Sequence, residues 1–280
     1  MGESRQTELV VIGAGPGGYA AAFRAADLGK QVVLVDRDPE LGGVCLNRGC
    51  IPSKALLHIS KVMDETMHLE KMGVKYGKPD IDIDQMRDHK NKIVSQLNSG
   101  IAQMANARKV ETIQGLASFV SNTKLKVQTN TGDVTIIFGQ CIIAGGSTSG
   151  TIPGIPTDHP SVITSRTALD LEDVPERLLV VGGGAIGLEL GQVYAALGTK
   201  VSIVEYLPNL LPGTDLDLVK PLQRKLKKQC EVIQVSSKVT KAEPNKDGTL
   251  TVTIKNEKGS IAEEFNKVLV SVGRNQILVY

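Results

Sequence analysis

Tryptophan is absent from the 280 residues, and with only four Phe and five Tyr the chain has little capacity to bind by aromatic stacking. The 32 Lys and Arg nearly balance the 30 Asp and Glu, and both signs are interspersed. Because no broad basic face results, we expect no nucleic-acid partner. The apolar runs fall well short of the roughly 20 residues that cross a bilayer, so no membrane span is expected.

Cysteine is also scarce. Four cysteines are too few to stabilise a chain of this length through disulfide bonds, which excludes the disulfide scaffolds of small secreted domains. The first eight residues are polar and resemble neither a secretion signal nor a transit segment, so we expect a cytoplasmic location. With 41% apolar residues the chain can bury a large core, and its length favours two domains.

Glycine, in contrast, is abundant, and part of it falls in two similar segments. Each segment has an apolar run, a G-x-G-x-x-G turn, a helix-forming stretch, a second apolar run and an acid. This order is typical of a βαβ unit with strands that are covered on both faces. The positions are Gly13, Gly15, Gly18 and Asp36 in the first copy, and Gly182, Gly184, Gly187 and Glu205 in the second.

This context makes the glycine motif informative about dinucleotide binding. The first glycine allows the tight turn, the second admits a pyrophosphate, and the third lets the helix pack closely. The helix N-terminus attracts the phosphates, and the acid accepts hydrogen bonds from a ribose. Glycines that only make tight turns are the alternative. Glu205 would repel the extra phosphate of NADP, so NAD is favoured at the second site.

The remaining pattern predicts the domain organisation. Residues 109–145 alternate between apolar and polar with turn signals, which indicates a β meander. Prolines and glycines near residues 150–160 interrupt the periodicity and suggest a boundary. The sequence thus predicts an α/β protein with two doubly wound, Rossmann-like domains. We expect them at residues 1–150 and 151–270, with a return to the first domain at 271–280.

Two cysteines five positions apart, Cys45 and Cys50, form the most distinctive local pattern. An ideal helix would separate them by about 7.5 Å, beyond the usual Cα distance of a disulfide, so bridging requires a distorted turn. Asn47 and Gly49 favour such a distortion, and Pro52 is expected to close the turn. A strained, easily reduced disulfide suits redox chemistry. Two separate thiols are the alternative, whereas Cys141 and Cys230 suggest packing roles.

The string from Gly42 to Lys54, followed by Ala-Leu-Leu-His, resembles the pyridine nucleotide-disulfide oxidoreductases, and the resemblance covers essentially the whole chain. Ser53 and the acidic Glu205 favour the branch that oxidises dihydrolipoamide. The resemblance implies an FAD-binding domain and an NAD-binding domain. It further implies lipoyl domains of 2-oxo acid dehydrogenase complexes as partners, and a homodimer for the full-length protein.

The resemblance also assigns roles. Cys45 would exchange with the substrate dithiol, and Cys50 would pass electrons to the flavin. Lys54 would lie near the flavin ring and pair with Glu189. The first glycine turn and Asp36 would hold the ADP half of FAD, and the second turn with Glu205 would hold NAD. Additional cofactor-binding positions are expected at Gly43, Gly115, Gly145, Gly146 and Gly273.

Two departures shape the expectation of activity. The family's general base lies in a His-Pro-Thr motif of a C-terminal interface domain, which we expect to be missing from residues 1–280. His159 is followed by Pro and Ser, but it falls in the predicted interdomain link. We therefore expect little turnover by this chain alone. Another flavin disulfide reductase, for a glutathione-like or metal substrate, and a non-catalytic FAD- and NAD-binding module are the alternatives. Arg48, where relatives have an uncharged residue, is a smaller departure.

Overall fold

The computed structural model describes residues 3–77 and 79–277. The first half of the chain contains β1 (Glu3–Ile12), α1 (Pro16–Asp27), β2 (Val32–Asp36), α2 (Gly43–Arg48), α3 (Cys50–His68), a 3₁₀ helix (Leu69–Met72), α4 (Ile83–Ala107), β3 (Glu111–Gln114), β4 (Leu116–Ser121), β5 (Lys124–Thr129), β6 (Gly132–Ile143) and β7 (Ser147–Ser149).

The second half contains β8 (Val162–Thr164), α5 (Ser165–Asp170), β9 (Arg177–Val181), α6 (Ala185–Ala196), β10 (Lys200–Val204), α7 (Leu216–Gln229), β11 (Val232–Gln234), β12 (Lys238–Pro244), β13 (Leu250–Asn256), β14 (Gly259–Phe265), β15 (Lys267–Val270) and β16 (Arg274–Gln276). None of the helices in the described part of the chain combines the length and apolar character needed to cross a membrane.

The described residues divide into two compact units. One comprises residues 3–52, 91–148 and 276–277, and the other comprises 53–77, 79–90 and 149–275. The predicted domains follow chain order, whereas these units place residues 53–90 with the second half. The assignment of cofactor domains to 1–150 and 151–270 therefore stays a prediction, and the last three residues of the predicted return segment 271–280 lie outside the described residues.

The first unit is built on a six-stranded sheet with the order β3-β2-β1-β6-β5-β4. The strands β3, β2, β1 and β6 are parallel, and β6, β5 and β4 form an antiparallel meander. Both features confirm the sequence prediction. A helix must connect the parallel strands β1 and β2, and α1 is that crossover.

The central strands of this sheet are apolar on both faces. Leu9, Val11 and Leu34 lie in one buried cluster with α1 and α4, because alternate residues of a strand point to the same side. Val10 and Val33 point the other way into a cluster with β4, β5 and β6. Helices thus cover one face and the meander covers the other, which explains the uninterrupted apolar runs in the sequence.

The second unit repeats this plan. Its five-stranded parallel sheet has the order β11-β10-β9-β15-β8, and α6 connects β9 to β10. Leu178 and Val180 pack with the helices, whereas Leu179 and Val181 pack with the antiparallel sheet β12-β13-β14. Three strands after residue 231, β12, β13 and β14, form the meander that buries the second face.

The two turns that follow β1 and β9 depend on glycines without space for a side chain. A Cβ atom built on Gly18 would lie 1.6 Å from the carbonyl oxygen of Gly13, and one built on Gly187 would lie 2.3 Å from that of Gly182. In both copies the third glycine of the motif therefore lets the helix begin directly against the turn, as the sequence predicted.

We expect Gly18→Ala to lower the free energy of unfolding by about 3 kcal/mol or more, because its Cβ would overlap backbone that no rotamer change can move. Gly17→Ala is the matched control, since a Cβ at Gly17 meets nothing within 4 Å. It should change the stability by about 1 kcal/mol or less. Urea unfolding followed by circular dichroism measures both variants, and equal midpoints would contradict the packing argument.

Candidate functional site

The first glycine turn is held by backbone contacts from neighbouring strands. The Gly13 amide donates to the carbonyl of Val35 at 2.7 Å, and the Ala144 amide donates to that of Ile12 at 2.7 Å. Gly13 has φ +98°, and a Cβ there would lie 2.2 Å from the carbonyl oxygen of Ala144. Because both space and conformation exclude an L side chain, this turn requires glycine.

A close glycine contact brings the cysteine-bearing helix α2 to this turn. A Cβ on Gly43, whose φ is +59°, would lie 2.6 Å from the Cα of Gly15. Gly43 is the first residue of α2, and Cys45 follows two positions later. The Gly42 amide also donates to the carbonyl of Ala14 at 2.8 Å. These contacts place the start of α2 against the glycine turn.

A cavity of about 330 Å³ opens between these elements. Its lining combines the first glycine turn, the start of α1, the residues after β2, the helix α2 and the segment after β6. Of the predicted site residues it includes Gly13, Gly15, Asp36, Gly43, Cys45, Gly145 and Gly146. A smaller neighbouring cavity of about 110 Å³ is lined by Gly13, Asp36, Gly115 and Gly145.

Asp36 braces the first turn. Its carboxylate accepts a hydrogen bond from the Ala14 amide at 2.5 Å and a second one from the Asp38 amide at 2.9 Å. Each carboxylate oxygen has two lone pairs, so the group can accept further bonds from a ribose hydroxyl. The sequence pattern predicted that the acid at this position accepts hydrogen bonds from a ribose. It did not reveal that the acid also fixes the backbone of the turn.

The second glycine turn is held by backbone contacts that match those of the first turn. The Gly182 amide donates to the carbonyl of Val204 at 2.8 Å, and the Ser271 amide donates to that of Val181 at 2.8 Å. Gly182 has φ +108°, and a Cβ there would lie 2.5 Å from the carbonyl oxygen of Ser271. A Cβ at Gly184 meets nothing within 4 Å, so there is open space beside the middle of this turn.

Glu205 corresponds to Asp36 in its contacts. Its buried carboxylate accepts from the Gly183 amide at 2.6 Å and from the Leu207 amide at 2.7 Å. The adjacent cavity has a volume of about 690 Å³, and Gly182, Gly184, Glu205 and Gly273 are among its lining residues. Gly187 instead serves the packing of α6 described above.

The cysteine segment contains the break that the spacing predicted. Helix α2 ends at Arg48 and α3 begins at Cys50, with Gly49 between them. A Cβ at Gly49 would lie 2.8 Å from the carbonyl oxygen of Val44, so the end of α2 leaves no room for a side chain here. Cys45 is half-buried and Cys50 is exposed.

The predicted role of Pro52 differs from its position in the structure. We expected this proline to close the cysteine turn, but it lies at the third position of α3. Proline is tolerated in the first turn of a helix because the amide that it lacks would have no intrahelical partner there. The helix accordingly begins at Cys50, two residues before this proline.

An asparagine pair that sequence reasoning missed anchors the segment before Cys45. The buried Asn98 side chain of α4 donates to the carbonyl of Leu41 at 2.6 Å and to Oδ1 of Asn47 at 2.8 Å. Asn47 in turn donates to the carbonyls of Glu40 and Leu41 at 3.3 Å each. Asn98 sits 51 residues away from Asn47, and no local pattern marks it.

The structure brings Lys54 and Glu189 together within the second unit. The Lys54 Nζ lies 2.7 Å from Oε1 and 2.8 Å from Oε2 of Glu189. Ser53 donates to Oε2 of the same carboxylate at 3.2 Å. The lysine side chain is 60% exposed, so solvent screens the ion pair. The pair therefore adds little to the stability of the fold and mainly orients the two side chains.

Of the other two cysteines, Cys230 is buried and Cys141 is half-buried. Burial raises the pKa of the Cys230 thiol to about 11 and also raises the pKa of Cys141. Cys230 packs in the helix-side core of the second unit. Both raised pKa values keep the thiols protonated near neutral pH, which agrees with the packing roles that the sequence predicted.

The residues present fit two dinucleotides. Each glycine turn leads into the N-terminus of a 12-residue helix, α1 or α6. Neither helix has an acidic residue in its first helical turn. Neither helix has a side-chain cap, so no capping side chain competes with an anion for the amides of the first turn. Each turn also lies in a cavity with an acid that can accept from a ribose. FAD and NAD would be held here by Gly15 with Asp36 and by Gly184 with Glu205.

Fold and site together define a protein with two glycine turns that fit dinucleotides, and with Cys45 in the cavity beside the first of them. Comparison with known proteins identifies the class. The family model described as pyridine nucleotide-disulphide oxidoreductase matches residues 7–277, and the chain belongs to this family. Proteins of this family use FAD and NAD(H).

Two relatives within the family show what the chain is similar to. The chain is 42% identical over 275 residues to the dihydrolipoyl dehydrogenase of Haemophilus influenzae, covering 98% of this chain and 57% of that protein. It is 40% identical to the mitochondrial dihydrolipoyl dehydrogenase of Dictyostelium discoideum over 278 residues, which are 97% of this chain and 57% of that protein. The chain thus spans a little more than half the length of these relatives.

A solved structure has the same architecture. The Cu(II) complex of the HOCl-induced flavoprotein disulfide reductase RclA from Escherichia coli superposes with a TM-score of 0.82 at 26% identity. The match covers 98% of this chain and 58% of that one. The flavoprotein disulfide reductase architecture that the sequence predicted is thereby confirmed.

We expect iodoacetamide at pH 8 to alkylate Cys230 at least about 100-fold more slowly in the folded chain than in the chain unfolded in urea. With a pKa of about 11, only about one in 1,000 Cys230 thiols is ionised at pH 8, and burial slows access further. Alkylation of Cys230 should rise only as the pH approaches 11, where its thiolate forms. Peptide mass spectrometry measures each site, and rapid labelling of Cys230 in the folded chain would contradict its burial.

Proposed function

We propose that this chain carries the FAD-binding and NAD-binding part of a dihydrolipoamide dehydrogenase. In this reaction protein-bound dihydrolipoamide is oxidised to lipoamide, and NAD⁺ is reduced to NADH. The observation that carries the proposal is the contact between Gly43 and Gly15. It places the cysteine-bearing helix α2 against a dinucleotide turn, so a redox-active thiol and a flavin dinucleotide would share one cavity.

The proposed chemistry begins with thiol–disulfide exchange at Cys45. A thiolate of the substrate attacks the Cys45 sulfur of an oxidised Cys45–Cys50 pair, breaks the S–S bond and forms a mixed disulfide. The second substrate thiolate then displaces Cys45, and the substrate leaves as its own disulfide. Cys45 and Cys50 now hold the two electrons that the substrate has lost, and the two substrate protons pass to solvent and to the cysteine sulfurs.

Several residues of the chain would position the groups for this exchange and for the electron transfer that follows it. When bound, FAD supplies the two-electron acceptor that links the reduced cysteine pair to NAD⁺. Asp36 and Glu205 hold the two turns in shape and accept from the riboses, while Lys54 and Glu189 fix each other's orientation. Asn98 and Asn47 anchor the segment that carries Cys45.

Three features support dihydrolipoamide over other disulfide substrates. Relatives with about 40% identity across nearly the whole chain are named dihydrolipoyl dehydrogenases. Ser53 stands where relatives that reduce glutathione usually have a lysine, and Glu205 is acidic where they typically are not. We propose lipoyl domains of 2-oxo acid dehydrogenase complexes as partners, a homodimer for a full-length protein and a cytoplasmic location.

Cys45→Ser tests the proposal in the chain reconstituted with FAD. We expect anaerobic dihydrolipoamide to bleach the flavin absorbance near 450 nm in the wild-type chain and to leave it essentially unchanged in Cys45→Ser, because serine cannot form the mixed disulfide. Cys141→Ser is the matched control, and it should reduce the flavin like wild type because Cys141 lies outside the first cavity lining.

Stopped-flow absorbance in a single turnover measures this half-reaction without requiring steady-state activity. Flavin reduction by dihydrolipoamide at the wild-type rate in Cys45→Ser would remove Cys45 from the mechanism. Faster reduction through glutathione than through dihydrolipoamide in the wild-type chain would favour the glutathione-like alternative.

A further inference from the structure

An ion pair that the proposed chemistry does not use lies in the lining of the first cavity. The guanidinium of Arg48, the last residue of α2, pairs with the carboxylate of Asp38. Their side chains are 20% and 26% exposed, so both are largely removed from water. The same cavity is lined by Gly15 and Gly17 at the start of α1.

The charges around this cavity distinguish Arg48 from its neighbours. Two cations, Arg37 and Arg48, and two anions, Asp36 and Asp38, line it. Arg37 is exposed, whereas Arg48 is half-buried. Asp36 already accepts two backbone amides, so its negative charge is partly compensated within the turn. Arg48 is therefore the better shielded positive charge in a cavity that opens on a helix N-terminus.

We propose that Arg48 binds the diphosphate of the dinucleotide in the first cavity, and that Asp38 holds its guanidinium in place until the ligand arrives. A guanidinium has five N–H donors in a planar fork, and one carboxylate cannot occupy all of them. The donors that remain can reach phosphate oxygens, which the α1 N-terminus attracts to the same cavity. The inference rests on the proposed function in that it takes FAD as the ligand of this cavity.

Arg48 also lies three positions after Cys45 in the same helix, α2. A guanidinium near Cys45 would favour the thiolate. The structure favours the diphosphate, because the guanidinium is paired with Asp38, two positions after the acid expected to bind a ribose. A thiolate role is therefore the competing outcome in the test.

The test measures binding of ADP, adenosine and FAD to the 280-residue chain, freed of flavin, by isothermal titration calorimetry. Arg48→Met should weaken ADP and FAD about 10- to 100-fold, as expected for losing a charge-assisted contact, and should change adenosine less than about twofold. Arg48→Lys should fall between, because it keeps the charge without the fork. Arg24→Met is the control, since Arg24 is exposed on α1 outside this lining.

Asp38→Asn separates a ligand-binding role from a structural one. If Asp38 only holds Arg48 until the ligand arrives, removing its negative charge should leave ADP binding unchanged or roughly threefold tighter. Weaker ADP binding in Asp38→Asn, or unchanged ADP binding in Arg48→Met with a raised pKa of the Cys45 thiol, would overturn the proposal. A wild-type chain that binds neither ADP nor FAD would overturn the proposed function as well, whereas wild-type binding with no effect of Arg48→Met would overturn this inference alone.

Discussion

Everything in the proposed site depends on backbone packed against backbone at two turns. At Gly13 and Gly18, and again at Gly182 and Gly187, the space for a Cβ is already occupied by main-chain atoms. This contact lets each helix begin at the carboxyl edge of a parallel sheet, next to a cavity that the turn lines. The proposed phosphate and ribose sites and, in the first unit, the position of the cysteine helix depend on it.

The acids add the second constraint, and it is the same in both units. Asp36 accepts the amide of Ala14, and Glu205 accepts the amide of Gly183, at 2.5 and 2.6 Å. One carboxylate thus fixes the turn and presents lone pairs to a ligand. The repeated meander on the second face of each sheet extends this likeness beyond the motif, so the two units solve the same packing problem in the same way.

Sequence reasoning predicted the parts of the fold that short-range patterns determine. Apolar runs followed by glycine identified both βαβ units, and the spacing of Cys45 and Cys50 predicted a broken helix, which Gly49 provides. Long-range contacts left no such pattern. Asn98 reaches Asn47 from another helix, and Arg48 of α2 pairs with Asp38, which follows β2. Pro52 was assigned to the wrong feature, since a proline signals the first turn of a helix as readily as the end of a loop.

We propose that the two turns form two separate dinucleotide sites, each governed by its own acid. Calorimetric titration of Asp36→Ala and Glu205→Ala with FAD and with NAD⁺ is the decisive measurement. Asp36→Ala should weaken FAD binding at least about 10-fold and leave NAD⁺ binding intact, and Glu205→Ala should do the reverse. Loss of both ligands in either variant, or of neither in both, would contradict it.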